Sequence, residues 1–408
     1  MELKKSFDFK IQEGKNNKKI ALHFIFLLGL VSLLGDIVYE GARSISGPYL
    51  AVLGASASMV GLISGLGEFI GYGLRLLSGY LADRTKSYWF FTIIGYGLLL
   101  AIPFLAFAGH WQVAAFLIIL ERMGKAIRSP ARDAILSHAT KQVGRGWGFG
   151  IHEALDQVGA IIGPLIFSTV FILKGGYREG FSLLWIPAFL ALSILLMAKS
   201  KVPSPEKLEI TEGLVQEKTE VKKKLPRVYW LYTLFTFLSV AGFAHFQIIS
   251  YHFKVQSVLT EVQIPLFYAL AMGVDALIAL VMGKIYDKIG LISLITIPFL
   301  TIMIPPLVFS PSYTFILAGV ILWGVVMGIH ETIMRAAIAE LTAFQHRGSA
   351  YGIFNTAYGI SWFLGSTIMG FLYEASTVYI ILFVIGIELL SLPVFFRINQ
   401  EVKSSPLK

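Results

Sequence analysis

The chain has 408 residues, 56% of them hydrophobic and only 14% charged, with a net charge of +9, no cysteine and a mean hydropathy of +0.71. A soluble domain carries roughly 25% charged residues, so this chain lacks the polar surface to dissolve itself and its solvent is expected to be lipid. Disulfides, thiolate metal sites and cysteine nucleophiles are excluded outright.

A hydrocarbon core of about 30 Å takes about 20 apolar residues per helix. Twelve such segments succeed one another, at 19–50, 57–80, 88–108, 111–130, 147–173, 180–199, 228–253, 261–283, 291–309, 312–336, 348–373 and 376–397. The first follows a Lys-rich polar stretch and precedes no small-residue cleavage site, so it reads as a retained helix rather than a signal peptide. It carries Asp36 and Glu40 one turn apart on one face, then Arg43. Gly47, Pro48 and Tyr49 are expected to shape the turn after it. Segment 2 carries Glu68 near mid-depth and Arg75 on the same face, an expected ion pair within one helix. Between segments 2 and 3 runs Gly79-Tyr80-Leu81-Ala82-Asp83-Arg84-Thr85-Lys86, read as a loop.

Segment 4 ends in Glu121-Arg122-Met123-Gly124-Lys125-Ala126-Ile127-Arg128-Ser129-Pro130-Ala131-Arg132-Asp133-Ala134. Arg122 lies about 15 Å deep, where a charge is costly and faces a partner or an aqueous cavity. Lys125, Arg128 and Arg132 fall near the end of the helix, where topogenic charge that snorkels to lipid phosphate is the plain reading. Segment 5 holds Gly150, His152, Glu153, Asp156, Gly159, Gly163 and Pro164. Residues 200–227 alternate Lys and Glu, include Pro203, Pro205 and Pro226, and read as a linker. Beyond it, segment 8 holds Asp275 and ends in Gly283-Lys284-Ile285-Tyr286-Asp287-Lys288-Ile289-Gly290. Segment 10 holds His330, Glu331 and Arg335.

The net positive charge follows topology. With the N-terminus inside, the inner tails and loops hold 28 Lys and Arg, and the outer loops hold four, namely Arg43, Lys174, Arg178 and Lys254. This asymmetry places both termini in the cytoplasm and argues against nucleic acid as the reason for the charge.

The halves on either side of the linker look alike. Asp83 and Asp287 stand in equivalent places. Arg132-Asp133-Ala134-Ile135 recurs as Arg335-Ala336-Ala337-Ile338, Gly148-Phe149-Gly150 as Ala350-Tyr351-Gly352, and Gly163 as Gly365. A division into bundles at 1–199 and 228–408 is the arrangement of transporters that rock one repeat against the other.

On these residues the chain resembles the major facilitator superfamily over nearly its whole length. Gly79, Asp83 and Arg84 match its loop between helices 2 and 3, while Thr85-Lys86-Ser87 depart from its usual basic continuation. Gly283 and Asp287 form a weaker copy. The end of segment 4, with Arg122, Arg128, Arg132 and Asp133, resembles a branch of little-characterised prokaryotic permeases. Gly150, Gly159, Gly163 and Pro164 resemble the antiporter motif of drug–proton exporters, with Phe167-Ser168 in place of its last glycines. The resemblance implies an all-α membrane fold of twelve helices in two pseudo-symmetric bundles, in which helices 1, 4, 7 and 10 line a cavity. It also implies a latch in which Asp83 meets the start of helix 11 and an arginine near the end of helix 4, favoured there by the helix dipole.

A carboxylate in low dielectric can load and release a proton near neutral pH. Asp36, Glu40, Arg122 and Asp156 are the first candidates for proton coupling, and Glu68, Asp275 and Glu331 the next; the plain alternative for each is an ion pair that locks helices together. No Walker loop or nucleophile elbow is present, and His152-Glu153 and His330-Glu331 lack a second histidine at zinc spacing. An enzyme is therefore not expected, nor a metal or other cofactor. The expected partners are the lipid bilayer, protons and a small-molecule substrate, with no nucleic acid, for a monomer in the plasma membrane. Proton-coupled export is the leading function. A proton-coupled importer is the rival, and a non-transporting sensor on the same fold is a weaker one.

Overall fold

A computed structural model describes the backbone of residues 2–208, 225–342 and 347–404, and the side chains from residue 18 onward within those ranges except at 141, 145, 207, 208, 335, 339, 347, 348 and 404. Most of the expected linker and the side chain of Arg335 therefore lie outside the described residues. Among those described the structure is helical, without strands: α1 (Glu2–Val52), α2 (Ala57–Thr85), α3 (Tyr88–Gly97), α4 (Trp111–Val143), α5 (Arg145–Ile172), α6 (Tyr177–Leu183), α7 (Trp185–Lys201), α8 (Arg227–Gly242), α9 (Phe246–Val255), α10 (Gln263–Ile289), α11 (Thr296–Val308), α12 (Tyr313–Leu341), α13 (Arg347–Ala375) and α14 (Thr377–Ser404).

Nine stretches of the described chain are long and apolar enough to cross a membrane. One of them, Gln263–Val308, has 46 residues, or about 70 Å of helix, which is too long for one pass. It folds back at Gly290, whose φ of +60° suits glycine, and so supplies two passes, α10 and α11. Two further long helices fall short of the apolar requirement. α4 carries six charges between Glu121 and Asp133, and α13 is rich in glycine, serine and tyrosine. The sum is consistent with twelve passes in an all-α membrane fold.

Local sequence explains the irregular passes. The third continues from α3 as tight 3-10 turns over Leu98–Ala101 and Pro103–Phe107, where Pro103 has no amide to continue an α-helix. The sixth is α6 and α7, the seventh α8 and α9. The turn after the first helix is not at Gly47-Pro48-Tyr49. α1 runs through Pro48 to Val52, and the chain turns at Gly54, φ +87°, before Ser56 caps α2 by accepting from Met59 N. A buried helix neighbour tolerates such a proline in lipid. The two matched motifs also differ from loops: Gly79–Thr85 is the last two turns of α2, ended by left-handed Lys86 (φ 54°), and Gly283–Ile289 is the end of α10.

Two hydrophobic clusters fill the interior. One is built from residues between Ala21 and Val202, the other from residues between Val228 and Ile398 together with Ala160. Across the middle, α2 packs along α13, α5 along α10, and α1 against α9. Away from the termini this packing is backbone to backbone. A Cβ on Gly61 would lie 3.0 Å from Gly370 Cα, and one on Gly47 would lie 2.7 Å from Ser250 Oγ and run into the Gln247 carbonyl. Hydrogen bonds from Ser58 N to Glu374 (3.0 Å) and from Ser168 Oγ to the Val262 carbonyl (2.9 Å) join the same end. Toward the termini α4 and α5 stand apart from α12 and α13 among the described residues, and Trp147 near the start of α5 is 67% exposed. Among the described residues the interior is sealed at the far end and open at the terminal end.

Candidate functional site

The opening leads to a cavity of about 170 Å³ at mid-depth. All seven charged residues singled out from the sequence, Asp36, Glu40, Glu68, Arg122, Asp156, Asp275 and Glu331, line it. They come from several passes and meet only because the helices cross there. The crossing of α1 with α5 is set by glycine: a Cβ on Gly159 would meet the Leu33 carbonyl, and one on Gly163 would sit 3.0 Å from Gly41 Cα. Small residues allow such close helix approach. A Cβ on Gly150 would meet nothing within 4 Å, so this glycine plays no part in the crossing. Gly163→Ala should therefore destabilise the protein by about 1–3 kcal/mol, whereas Gly150→Ala should be neutral or slightly stabilising, since glycine is the poorer helix former; thermal unfolding in detergent distinguishes the two.

At the cavity's sealed end Glu68 is a hub. One of its oxygens accepts from Arg43 Nη2 at 3.2 Å and lies 3.3 Å from Arg122 Nη1 and 3.5 Å from His245 Nε2. Arg43 also lies 3.6 Å from Glu40, whose other oxygen accepts from Tyr268 OH at 2.5 Å. The expected partnership of Glu68 with Arg75 inside one helix is thus replaced by contacts to α1, α4 and the break between α8 and α9, and the Arg75 guanidinium stacks on Tyr72 at 4.6 Å. Arg43 is not an outer-loop residue. It is buried in α1, which leaves three of the four cations that the sequence assigns to outer loops.

The α4 cations do not snorkel to lipid. They turn inward, where acids and rings from neighbouring helices receive them. Arg128 is 2% exposed, pairs with Glu121 at 3.3 Å and stacks on Tyr96. Arg132 grips Asp133 through two nitrogens, at 2.9 and 3.0 Å, and donates to Ser32 at 2.8 Å. Lys125 lies over the Tyr39 ring, 3.7 Å from its centroid, shared with Arg122 at 4.3 Å. Among the described residues no carboxylate comes within ion-pair distance of the Lys125 ammonium.

Asp36 and Asp156 interact electrostatically, with Lys125 the leading cation acting on Asp36. Across the cavity Asp275 interacts with Glu331, among Met272, Met327 and Trp362. Asp156 and Asp275 each hold a buried oxygen, Oδ1, that makes no hydrogen bond. Among the described residues the six cationic lining residues, from Arg43 to Arg132, all come from the first half, and the second half contributes acids and apolar groups. Such a chamber can hold an anionic group against Lys125, an amine against Asp275, and protons on its unpaired carboxyls.

The latch residues lie elsewhere. Asp83 and Arg84 are exposed at the end of α2, and Asp83 accepts from Tyr88 OH at 3.0 Å rather than from α4. The chain leading into helix 11, residues 343–348, which was to receive it, is outside the described side chains. A Cβ on Gly79 would lie 3.4 Å from Pro130 of α4, and one on Gly283 would lie 3.8 Å from Thr332; Asp287 is exposed on α10. Sequence reading overlooked Tyr268 and Tyr96, ordinary aromatics in apolar runs, and it overlooked Glu388, a lone acid in the last pass.

A helical bundle with a polar chamber at mid-membrane, sealed at one end and open at the other, is the build of a membrane transporter rather than an enzyme. The sequence profile of the Major Facilitator Superfamily matches residues 25–366 and 259–408, and the chain belongs to that superfamily. An uncharacterized protein of Mycobacterium tuberculosis is 42% identical over 93% of each chain. The multidrug resistance protein MdtH of Photorhabdus laumondii is 30% identical over 37% of each. Among solved structures, a mutant form of the nucleoside transporter NupG superposes with a TM-score of 0.73 at 14% identity, covering 92% of this chain and 99% of its own, a likeness of fold.

Proposed function

We propose that this chain is a prokaryotic plasma-membrane antiporter that exports a small organic solute in exchange for protons. It works as a monomer with both termini in the cytoplasm, and bundles 1–199 and 228–408, joined by the linker 200–227, rock about the cavity. The observation that carries this reading is the chamber's acid set. Asp36, Asp156, Asp275 and Glu331 all line it, and Asp156 and Asp275 each hold a buried oxygen without a hydrogen bond. Protonation of such groups and binding of solute would bias the same two-state equilibrium. Export rather than uptake is supported by Gly159, Gly163 and Pro164 of α5 and by the partial likeness to a protein named for multidrug resistance.

The test is proton movement in energised everted vesicles, screened over cationic drugs, siderophores, sugars and organic acids. Dissipation of the pH gradient by one compound class, lost in Asp156→Asn or Asp36→Asn, is the expected result. Uptake of a labelled solute in right-side-out vesicles without a proton signal would instead indicate an importer or uniporter and return those acids to a structural role.

A further inference from the structure

Glu388 has no part in the cavity. It sits about 16 Å along α14 from its outer end, in the middle of a buried stripe formed by Ile380, Val384, Ser391, Phe395 and Ile398 and turned toward α8 and α11. Its exposure is 0%, and neither carboxyl oxygen makes a hydrogen bond. Among the described residues no charged side chain faces it from the helices packed on α14. α11 and the turn Gly290–Ile295 carry no titratable group. Arg227 and Glu401 pair with each other at the terminal end, and Glu374 accepts from Ser58 at the other. Tyr229 and Tyr232 of α8 donate to the carbonyls of Ala350 and Met334. A bare anion in such a place is prohibitive, so this carboxyl has to be accompanied by a cation drawn from water.

Its surroundings suit one. α8 stops at Gly242, the chain is extended at Phe243 and His245, and α9 restarts at Phe246. The Glu388 carboxyl packs on Gly242 at the break, where any side chain would collide with it. The last carbonyls of a helix lack intrahelical amides and carry the negative end of its dipole. The Ser239 hydroxyl approaches the Glu388 carboxyl without forming a well-aligned hydrogen bond, and Thr236, one turn earlier on the same face of α8, likewise holds a buried hydroxyl with no well-aligned partner. Broken-helix carbonyl ends are where transporters bind small cations.

We propose that Glu388, with Ser239 and the carbonyl end of α8, is a binding site for a monovalent cation, a proton or a sodium ion, separate from the central cavity. α9, beyond the break, packs on Gly47 of α1 at the sealed end, so the site's occupancy bears on the seal.

The test needs no substrate. The purified full-length protein is unfolded thermally at constant ionic strength, with sodium replacing choline, and its infrared spectrum is recorded in sodium-free light and heavy water. Saturable stabilisation by sodium that is absent in Glu388→Gln identifies a sodium site. No sodium response, with a carboxylic-acid band that exchanges in heavy water and is missing in Glu388→Gln, identifies a proton site. A sodium response or band that persists in Glu388→Gln, a band that never exchanges, or the absence of both signals overturns the proposal. Should Glu388→Gln fail to fold, Ser239→Ala decides. The sodium midpoint should rise about tenfold, as for a lost oxygen ligand, or the acid band should move, and no change in either overturns it.

Discussion

Glu68→Ala should lower stability by about 3–5 kcal/mol, the cost of leaving a buried charge without its counter-charge. A single oxygen of Glu68 satisfies Arg43 and Arg122, which are 7% and 5% exposed. Arg43 would keep Glu40 at 3.6 Å, but Arg122 would lose the one ion pair found for it among the described residues. Glu68→Gln preserves shape and part of the hydrogen bonding, so it should cost less, and Glu68→Asp is too short to span both guanidiniums. The comparison variant is Glu261→Ala, whose pair with Lys254 is 42% and 30% exposed and should contribute about 0–1 kcal/mol. Melting temperatures of the purified variants, with a double-mutant cycle over Glu68 and Arg122, read the effect. If Glu68→Ala melts no lower than Glu261→Ala, Glu68 is no hub, and the cavity's sealed end is held by packing alone.

The charges that line the cavity were legible because each is expensive in a membrane. Asp36, Glu40, Arg122 and Asp156 announce themselves in apolar helices, and so does their need for a partner. Which partner each takes was not legible. Spacing along α2 offers Arg75 to Glu68, yet the crossing of α1, α2 and α4 brings Arg43 and Arg122 closer, and crossings are set by glycines meeting backbone on another helix. Depth counting misled for Lys125, Arg128 and Arg132 because distance along a helix does not tell which side faces lipid; Tyr39, Tyr96 and Ser32 draw them inward. In water Gly47-Pro48 would be a turn, whereas here α1 runs through it. Glu388 was passed over since nothing complementary stands near it in sequence, and in the structure that lack of a partner is its distinguishing property.

Tryptophan at Gly61 should hold the protein in the state that is open on the side away from its termini. The Gly61 Cβ position points at the Ser366 carbonyl and lies 3.0 Å from Gly370 Cα, both backbone atoms of the opposing helix that no rotamer change can move. An indole there makes the present seal sterically impossible while leaving space once α2 and α13 part. Moving a two-state equilibrium from 1:99 to 99:1 takes about 5.5 kcal/mol of preference, which a backbone clash of this kind can supply. The chain contains no cysteine, so Gln157→Cys in the cavity wall is a unique reporter for a membrane-impermeant maleimide. In oriented vesicles Gln157→Cys alone should label from the terminal side. Combined with Gly61→Trp it should label from the opposite side, with the terminal-side rate reduced at least about tenfold, a shift that needs only about 1.4 kcal/mol of that preference. Gly97→Trp is the control for bulk, because nothing lies within 4 Å of a Cβ at that glycine, which does not line the cavity, and the seal should survive it. Unchanged sidedness in a folded Gly61→Trp protein would mean that α2 and α13 do not separate, and with that the rocking of the two bundles about the cavity would have to be abandoned.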